Sequence, residues 1–298
     1  MASLLVHLHV YYQDQADYFI EKLKNINGLE WKLIVTYSEP NEEIFEKFRA
    51  LKPDAEFLQA ENCGYDVWPF IKVLKSEKDL SAYDYVLKLH TKRKMTVEVR
   101  LNKVKLRDYD WRNELVDAIL YSPKQFRKVI RILEKNKRVG MISSLLAISK
   151  NSVDMFESRL KEEMQNLGLE YRKGRVNLGT MFIAKSKVLT PLLSPHLTSE
   201  YFNDHEARSG SNFSVAHLYE RLFSLIPLSL GLKHRVLTQN KKYALRIKTE
   251  RMIEAPLAWT FTIFRKGEQS RKAIRIFGFE FYIEKADETR SHHEITTE

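Results

Sequence analysis

Only one cysteine, Cys63, stands in the 298 residues. That excludes an intramolecular disulfide and any zinc site built on several thiolates, and it agrees with a reducing compartment. Long apolar runs are missing too. Hydrophobic residues make up 44% of the chain, yet no stretch approaches the ~18 consecutive apolar residues that a membrane helix needs. The opening MASLLVHLHVYYQDQ lacks a basic leader region and polar residues soon interrupt it, so no signal peptide is expected. A cytoplasmic protein is expected, free or peripheral at the inner face of the plasma membrane. Familiar catalytic signatures are also absent: there is no Gly-rich Walker loop, no G-x-G-x-x-G after the first strand and no G-x-S-x-G elbow. Neither an internal repeat nor a low-complexity linker divides the chain.

Positive charge is plentiful. A formal charge of +10 and a pI near 9.4 predict attraction to something anionic: nucleic acid, an anionic membrane surface or a phosphorylated substrate. The cations cluster in KLHTKRK (88–94), NKVKLR (102–107) and RKGEQSRKAIR (265–275). No recognised nucleic-acid module accompanies them, so the expected partners do not include nucleic acid.

The first half alternates strand-like and helix-like segments, the pattern of a mostly parallel sheet covered by helices. LLVHLHVYY (4–12), WKLIVTY (31–37), AEFLQA (55–60) and YDYVLKLH (83–90) read as four strands. Asp14 is expected to cap the helix after the first, and Gly28 to stop it. Beyond residue 110 the chain is more helical, with Ser122-Pro123 opening one helix as N-cap and first residue. VGMISS (139–144) and NLGTMFIAK (177–185) read as strands, and FSVAHLYERLFSLI (213–226) as a helix ended by Pro227. One α/β domain is expected over residues 1–245. Period-two aromatics over 258–285 then predict a C-terminal hairpin within 246–285, serving as an edge of the main domain or as a membrane or subunit contact. Residues 286–298 read as a disordered tail.

Open α/β sheets bind ligands at the carboxyl ends of their strands. After the third strand, Asn62 and Asp66 can hydrogen-bond sugar or ribose hydroxyls, and Gly64 permits close backbone approach. The alternative is a turn with Asp66 as a helix N-cap. After the fourth, His90 and Lys92 lie in a dense set of donors suited to a diphosphate, or in a solvated basic loop. Arg112 opens a helix, where a cation opposes the macrodipole unless it grips an anion. His217, Glu220 and Arg221 fall at i, i+3 and i+4 on one helical face. A carboxylate beside a histidine suits deprotonation of a hydroxyl, or forms a plain surface ion pair. No third ligand at recognisable spacing makes this a zinc site.

Together, HLHVYYQD (7–14), ENCGYDVWPF (61–70), YDYVLKLHTKR (83–93), WRNEL (111–115), NLGTMFIAK (177–185) and AHLYERLF (216–223) resemble the rhamnan synthesis F family and related bacterial polysaccharide glycosyltransferases. The resemblance implies a GT-A-like, Rossmann-type sheet. It implies a nucleoside-diphosphate sugar donor, such as dTDP-rhamnose, UDP-galactofuranose or a UDP-hexose. The implied acceptor is a growing lipid-linked polysaccharide of capsule, O-antigen or rhamnan type. By similarity, Asn62, Gly64 and Asp66 lie at the donor, His90 and Lys92 near the diphosphate, and His217 and Glu220 near the reacting centre. The sequence departs from the general pattern in lacking an Asp-x-Asp after the fourth strand, with Asp84 at that strand's start instead. Metal dependence is therefore left open: a divalent manganese or magnesium ion is one alternative, with no residue assigned to it, and cations of the protein in its place are the other. The expected chemistry is an inverting displacement, with Glu220 or Asp204 as base and Lys92, His90 and Arg112 on the leaving diphosphate. The rivals are a non-catalytic binding or scaffold protein and a nucleotide-sugar hydrolase.

Overall fold

The computed structural model describes residues 2–101, 104–149, 156–203, 214–240, 244–245, 261–266, 271–276 and 279–282. Contacts divide the chain into two compact units, Met1–Ala244 and Leu245–Glu298. In chain order the first unit holds β1 (Ser3–Val10), α1 (Ala16–Leu23), β2 (Glu30–Tyr37), α2 (Glu42–Leu51), β3 (Glu56–Gln59), α3 (Val67–Ser76) and β4 (Tyr85–His90). The hairpin β5 (Met95–Leu101) and β6 (Val104–Asp108) follows, then α4 (Asp110–Leu120), α5 (Pro123–Lys135) and β7 (Val139–Ser144). The short strands β8 (Ile148–Ser149) and β9 (Val176–Asn177) bracket α6 (Glu157–Asn166), before β10 (Phe182–Lys185), α7 (Val215–Ser229) and β11 (Lys233–Leu237).

Seven strands form one sheet in the order β11-β7-β10-β4-β1-β2-β3. All run parallel except β10, which is antiparallel to both of its neighbours. Side chains alternate across a strand, and here that alternation sorts the core into two layers. Leu4, Val6 and Leu8 of β1 join Leu87 and Leu89 of β4 under α1, α4 and α5. Leu5 and Val86, one residue out of phase, pack with α3, α6 and α7 on the other face. The helices start where local chemistry favours it: Asn41 accepts from the Ile44 N–H at the head of α2, and Ser122 from the Gln125 N–H at the head of α5.

Several local expectations change. Asp14 does not cap α1; it lies in a short 3-10 turn and accepts from the Tyr109 hydroxyl at 3.1 Å. Pro227 does not end the last helix, because α7 continues to Ser229 with the proline inside it. The segment 177–185 is not one strand: Gly179 (φ +95°) and Thr180 (φ +47°) turn left-handed between β9 and β10. Met95–Leu101 and Val104–Asp108, for which no strands were expected, pair as an antiparallel hairpin.

In the second unit the expected hairpin is a three-stranded antiparallel sheet of β12 (Phe261–Lys266), β13 (Arg271–Ile276) and β14 (Phe279–Tyr282). The second arm read from the sequence is split between the last two strands. Residues 286–298, read as a tail, lie outside the described residues.

Candidate active site

On the α3–α7 face, the strands turn polar toward their carboxyl ends. Below, β1 and β4 supply Leu5 and Val86; above come His7, His9, Lys88 and His90, all buried. Register places His7 beside Lys88 and His9 beside His90. The hydroxyl of Thr36 lies 2.8 Å from His7 Nε2 and 2.9 Å from His9 Nδ1, so it donates to one imidazole and accepts from the other. His7 also stacks on Phe70 of α3.

Asp66 sits at the focus of this layer. It occupies the N-cap position of α3 but makes no capping bond. Its Oδ2 instead accepts from Lys88 Nζ and Thr180 Oγ1, with His90 Nδ1 at 3.1 Å. An ionised carboxylate only accepts, so His90 carries its proton on Nδ1. With Oδ2 committed to three donors, Oδ1 is the atom left for a ligand. Burial works against the Asp66 charge, but His90 and Lys88 outweigh it and hold the carboxyl well below its usual range. Asp66 is therefore a fixed anionic acceptor rather than a proton carrier. Lys88 is fully buried, its ammonium flanked by the rings of Phe70 (5.5 Å) and Phe223 (5.8 Å). Burial pulls it below the ordinary lysine range although Asp66 opposes the shift.

The pair carries a prediction. Asp66→Asn strands the Lys88 ammonium without a counter-charge, and breaking a buried pair in this way costs about 3–5 kcal/mol. Adding Lys88→Met should recover much of that loss, because the uncompensated charge goes with it. Urea unfolding of both single variants and the double variant measures the coupling. Additive losses would mean that the two groups do not depend on each other.

Two adjoining hollows open above Asp66. One of about 290 Å³ is lined by Tyr11, Tyr12, Asn62, Tyr65, His90, Lys92 and Arg93 among others. The second, of about 400 Å³, is lined by Tyr65, Asp66, Lys92, Thr180, His217 and Glu220 among others. The loops are held in place locally. Gly64 turns at φ +63°, where an added Cβ would come within 2.8 Å of Trp68 and 2.9 Å of Phe202. Thr91 Oγ1 accepts from the N–H groups of Tyr11 (3.0 Å) and Tyr12 (2.9 Å), tying the exits of β1 and β4 together. Gln15 holds the Lys92 backbone from both sides, donating to its carbonyl at 2.7 Å and accepting from its N–H at 3.2 Å.

On the far wall, Glu220 Oε1 accepts from the Gly179 N–H at 2.6 Å, and His217 Nδ1 lies 2.7 Å from the capping Ser214 hydroxyl. Burial lowers the His217 pKa, against the opposing pull of Glu220. Arg221 donates to the His217 carbonyl at 2.6 Å and approaches Glu220 Oε2 at 3.4 Å.

Of the residues singled out by sequence, Asn62, Asp66, His90, Lys92, His217 and Glu220 line the two hollows, and Gly64 shapes the turn beneath them. Arg112 is not brought there. Its guanidinium is stacked 3.6 Å from the Tyr18 ring and 4.1 Å from the Tyr109 ring, and it donates to Gln15 and Asn113. Its link to the cleft runs through Gln15 to Lys92. Asp204 lies outside the described residues. Thr180, Tyr11 and Tyr65 are additions from the structure, and Lys88, read as one of a set of diphosphate donors, is instead buried on Asp66. The sequence signal for Lys88 was a lysine alternating with apolar residues inside a strand.

The donor set does not fit a divalent cation. The exit of β4 carries His90-Thr91-Lys92 where two carboxylates would be needed, and Asp66 Oδ2 is already occupied by Lys88, Thr180 and His90. Among the described residues no three His, Cys, Asp or Glu side chains form a group able to hold a metal.

A mostly parallel sheet with one reversed strand and a polar cleft at its carboxyl edge is an open α/β architecture that binds ligands at its strand ends. The chain belongs to the rhamnan synthesis protein F family, whose model matches residues 1–231. It is 25% identical over 246 residues to the uncharacterized protein WxcX of Xanthomonas campestris pv. campestris (strain B100), covering 79% of this chain and 32% of that protein. The chain thus spans about a third of the length of the curated relatives it matches. Among solved structures, TarS 1-349 of S. aureus is 12% identical with a TM-score of 0.42, over 80% of this chain and 59% of that one. The mannosyltransferase PcManGT of Pyrobaculum calidifontis, solved with GDP-Man and Mn2+, is 12% identical with a TM-score of 0.38, over 84% of this chain and 61% of that one.

Proposed function

We propose that this chain transfers a sugar from a nucleoside-diphosphate donor to a hydroxyl of a growing, lipid-linked surface polysaccharide, working at the inner face of the membrane. A 6-deoxyhexose such as rhamnose, a galactofuranose or another hexose is the class of group moved. One observation carries the reading: a fixed carboxylate (Asp66), an accessible cation (Lys92) and a second carboxylate (Glu220) line one cleft at the carboxyl edge of the sheet. Membership of a family named for rhamnan synthesis supports the substrate class.

In this reading the smaller hollow takes the nucleotide. Tyrosines there offer flat faces to the base, Asn62 meets hydroxyls, and Lys92 and Arg93 meet the diphosphate. Asp66 Oδ1 accepts from a hydroxyl of the donor. The acceptor enters the larger hollow, where Glu220 removes the proton as its oxygen attacks the anomeric carbon; the bond from that carbon to the diphosphate breaks, and the anomeric configuration inverts. His90 serves indirectly: with Nδ1 bound to Asp66 and its pKa lowered to about 3, chiefly by burial, it is neutral and holds the carboxylate rather than the leaving group.

A thermal-shift screen of UDP, dTDP, GDP and CMP with their sugars, each with and without manganese, tests the proposal. A ligand present at 100 times its Kd should add about 2.7 kcal/mol to stability. The expected result is a rise with one nucleoside diphosphate, retained without manganese. If no nucleotide stabilises the protein, the non-catalytic binding or scaffold reading takes its place.

A further inference from the structure

We infer that Tyr65 is the sugar platform of the cleft: its ring lies at the junction of the two hollows and takes the apolar face of a sugar whose hydroxyls meet Asp66 and Glu220. The inference rests on the transferase reading and adds the residue that recognises the sugar itself. Tyr65, Asp66 and Lys92 are the three described residues that line both hollows. Tyr65 is also the only Phe, Tyr or Trp among the described residues lining the larger one. Tyr11 and Tyr12 line the smaller hollow alone, and they remain for the base.

The fold does not call for this side chain. Tyr65 holds φ +49° directly after Gly64 at φ +63°. Left-handed backbone suits glycine or asparagine, and a bulky aromatic residue there is strained. The turn itself serves Asp66, which follows it and bonds Lys88 and Thr180 instead of capping α3. Glycine or asparagine would make that turn with less strain. The ring adds little to the core in exchange: Tyr65 is 55% exposed, and its hydroxyl has no hydrogen-bond partner among the described residues. The one ring it meets there is that of His217, at 5.8 Å and nearly perpendicular. Strain that brings neither packing nor a hydrogen bond marks a functional position.

A sugar presents two chemistries on one ring. Its C–H bonds form an apolar, slightly positive face that matches the negative face of an aromatic ring, while its hydroxyls need acceptors. The junction supplies both, with the Tyr65 ring beside the carboxylates of Asp66 and Glu220 in the larger hollow. The transferred sugar and the terminal sugar of the acceptor share this chemistry, and both must reach the junction for the new bond to form.

Saturation-transfer NMR of the 298-residue chain with the methyl glycosides of rhamnose, galactose, glucose and mannose tests this without any nucleotide. The expected result is binding of at least one glycoside through its ring C–H protons. Tyr65→Phe should keep that binding, and Tyr65→Asn and Tyr65→Gly should weaken it about 2- to 10-fold, the ordinary worth of one aromatic contact. Both replacements suit left-handed backbone, so their unfolding midpoints should stay within about 3 °C of wild type, which separates lost binding from lost folding. A nucleotide arm distinguishes the two sources of sugar. If the ring holds the transferred sugar, Tyr65→Asn weakens a nucleoside-diphosphate sugar and leaves the bare nucleoside diphosphate unchanged; if it holds the acceptor's sugar, the variant weakens a glycoside bound beside the nucleoside diphosphate. Either pattern supports the inference. A wild-type chain that binds none of the glycosides, or folded Tyr65→Asn and Tyr65→Gly variants that bind them as wild type does, overturns it. Glycoside binding that depends on Tyr65 in a chain that no nucleoside diphosphate stabilises would keep the platform and remove the transferase reading, whereas nucleotide binding without glycoside binding would do the reverse.

Discussion

Acidification from neutrality toward pH 4 is expected to unfold this protein far more steeply than its carboxylates alone would cause. Burial, first among the causes, lowers the pKa of His9 and His234 to about 4, that of His90 to about 3, and that of His7 well below the usual imidazole range. In the unfolded chain each titrates near 6.5. The unfolded state therefore binds more protons at any pH below that value, and stability must fall as the pH falls. The contribution is complete above about 6.5 and is lost as the pH drops through the folded values. Each such histidine contributes a slope of about 1.4 kcal/mol per pH unit. Over the interval from 6.5 to about 4, His9 alone accounts for roughly 3 kcal/mol. Four groups of this kind would remove most of the 5–15 kcal/mol that a domain ordinarily has. Asp66 does not blur this window, because its depressed pKa matters only below the ordinary carboxylate range.

His7, His9 and His90 share Lys88 and Asp66 as neighbours and will titrate as a set. His234 stands apart on β11, with Nε2 2.6 Å from the Ser143 hydroxyl and no partner for Nδ1 among the described residues. His234→Gln should therefore reduce the slope by about one proton's worth and leave the rest intact. Urea unfolding at pH steps between 4 and 8 reads the slope directly. A flat profile between 6.5 and 5 would mean that the buried imidazoles are not held neutral.

The order of the βα units was legible because periodicity reports burial. LLVHLHV and YVLKLH already contain the device that builds the site: polar residues at every second position in strands otherwise buried on both faces. Read for its alternation, the second segment would have selected Lys88 together with His90. Lys88 was read with the donors that follow the strand, but its place inside the strand buries it on Asp66 and leaves Lys92 as the accessible cation. The break at Gly179–Thr180 was hidden for another reason. Thr180 has no intrinsic preference for left-handed backbone; it adopts φ +47° where its hydroxyl meets Asp66, a partner 114 residues away. Tertiary bonding of that kind leaves no local trace. The same holds for Arg112, whose first-turn position suggested an anion. Its actual partners are the rings of Tyr18 and Tyr109, which neutral sequence spacing does not join.

Glu220→Gln should lower turnover in the proposed reaction by about 10²- to 10⁴-fold, the ordinary worth of a general base, while nucleotide binding stays near normal. The substitution is nearly isosteric. Its amide oxygen can still accept the Gly179 N–H that now reaches Oε1 at 2.6 Å, so the turn preceding Thr180 keeps its support. Arg221 keeps its shorter bond, to the His217 carbonyl at 2.6 Å. What disappears is the charge and the basic oxygen facing the larger hollow. A fall in kcat without a matching rise in the nucleotide Kd is the signature of an interaction made only as the bond is transferred. Two companions locate the proton if that pattern fails. His217 shares the same wall, so a collapse confined to His217→Gln would move the base one helical turn back along α7. Full turnover in Glu220→Gln with loss in Asp204→Asn would assign the proton to Asp204. Loss of nucleotide binding in Glu220→Gln would instead mean that this carboxylate shapes the donor site through Gly179 and Thr180, and performs no proton transfer of its own.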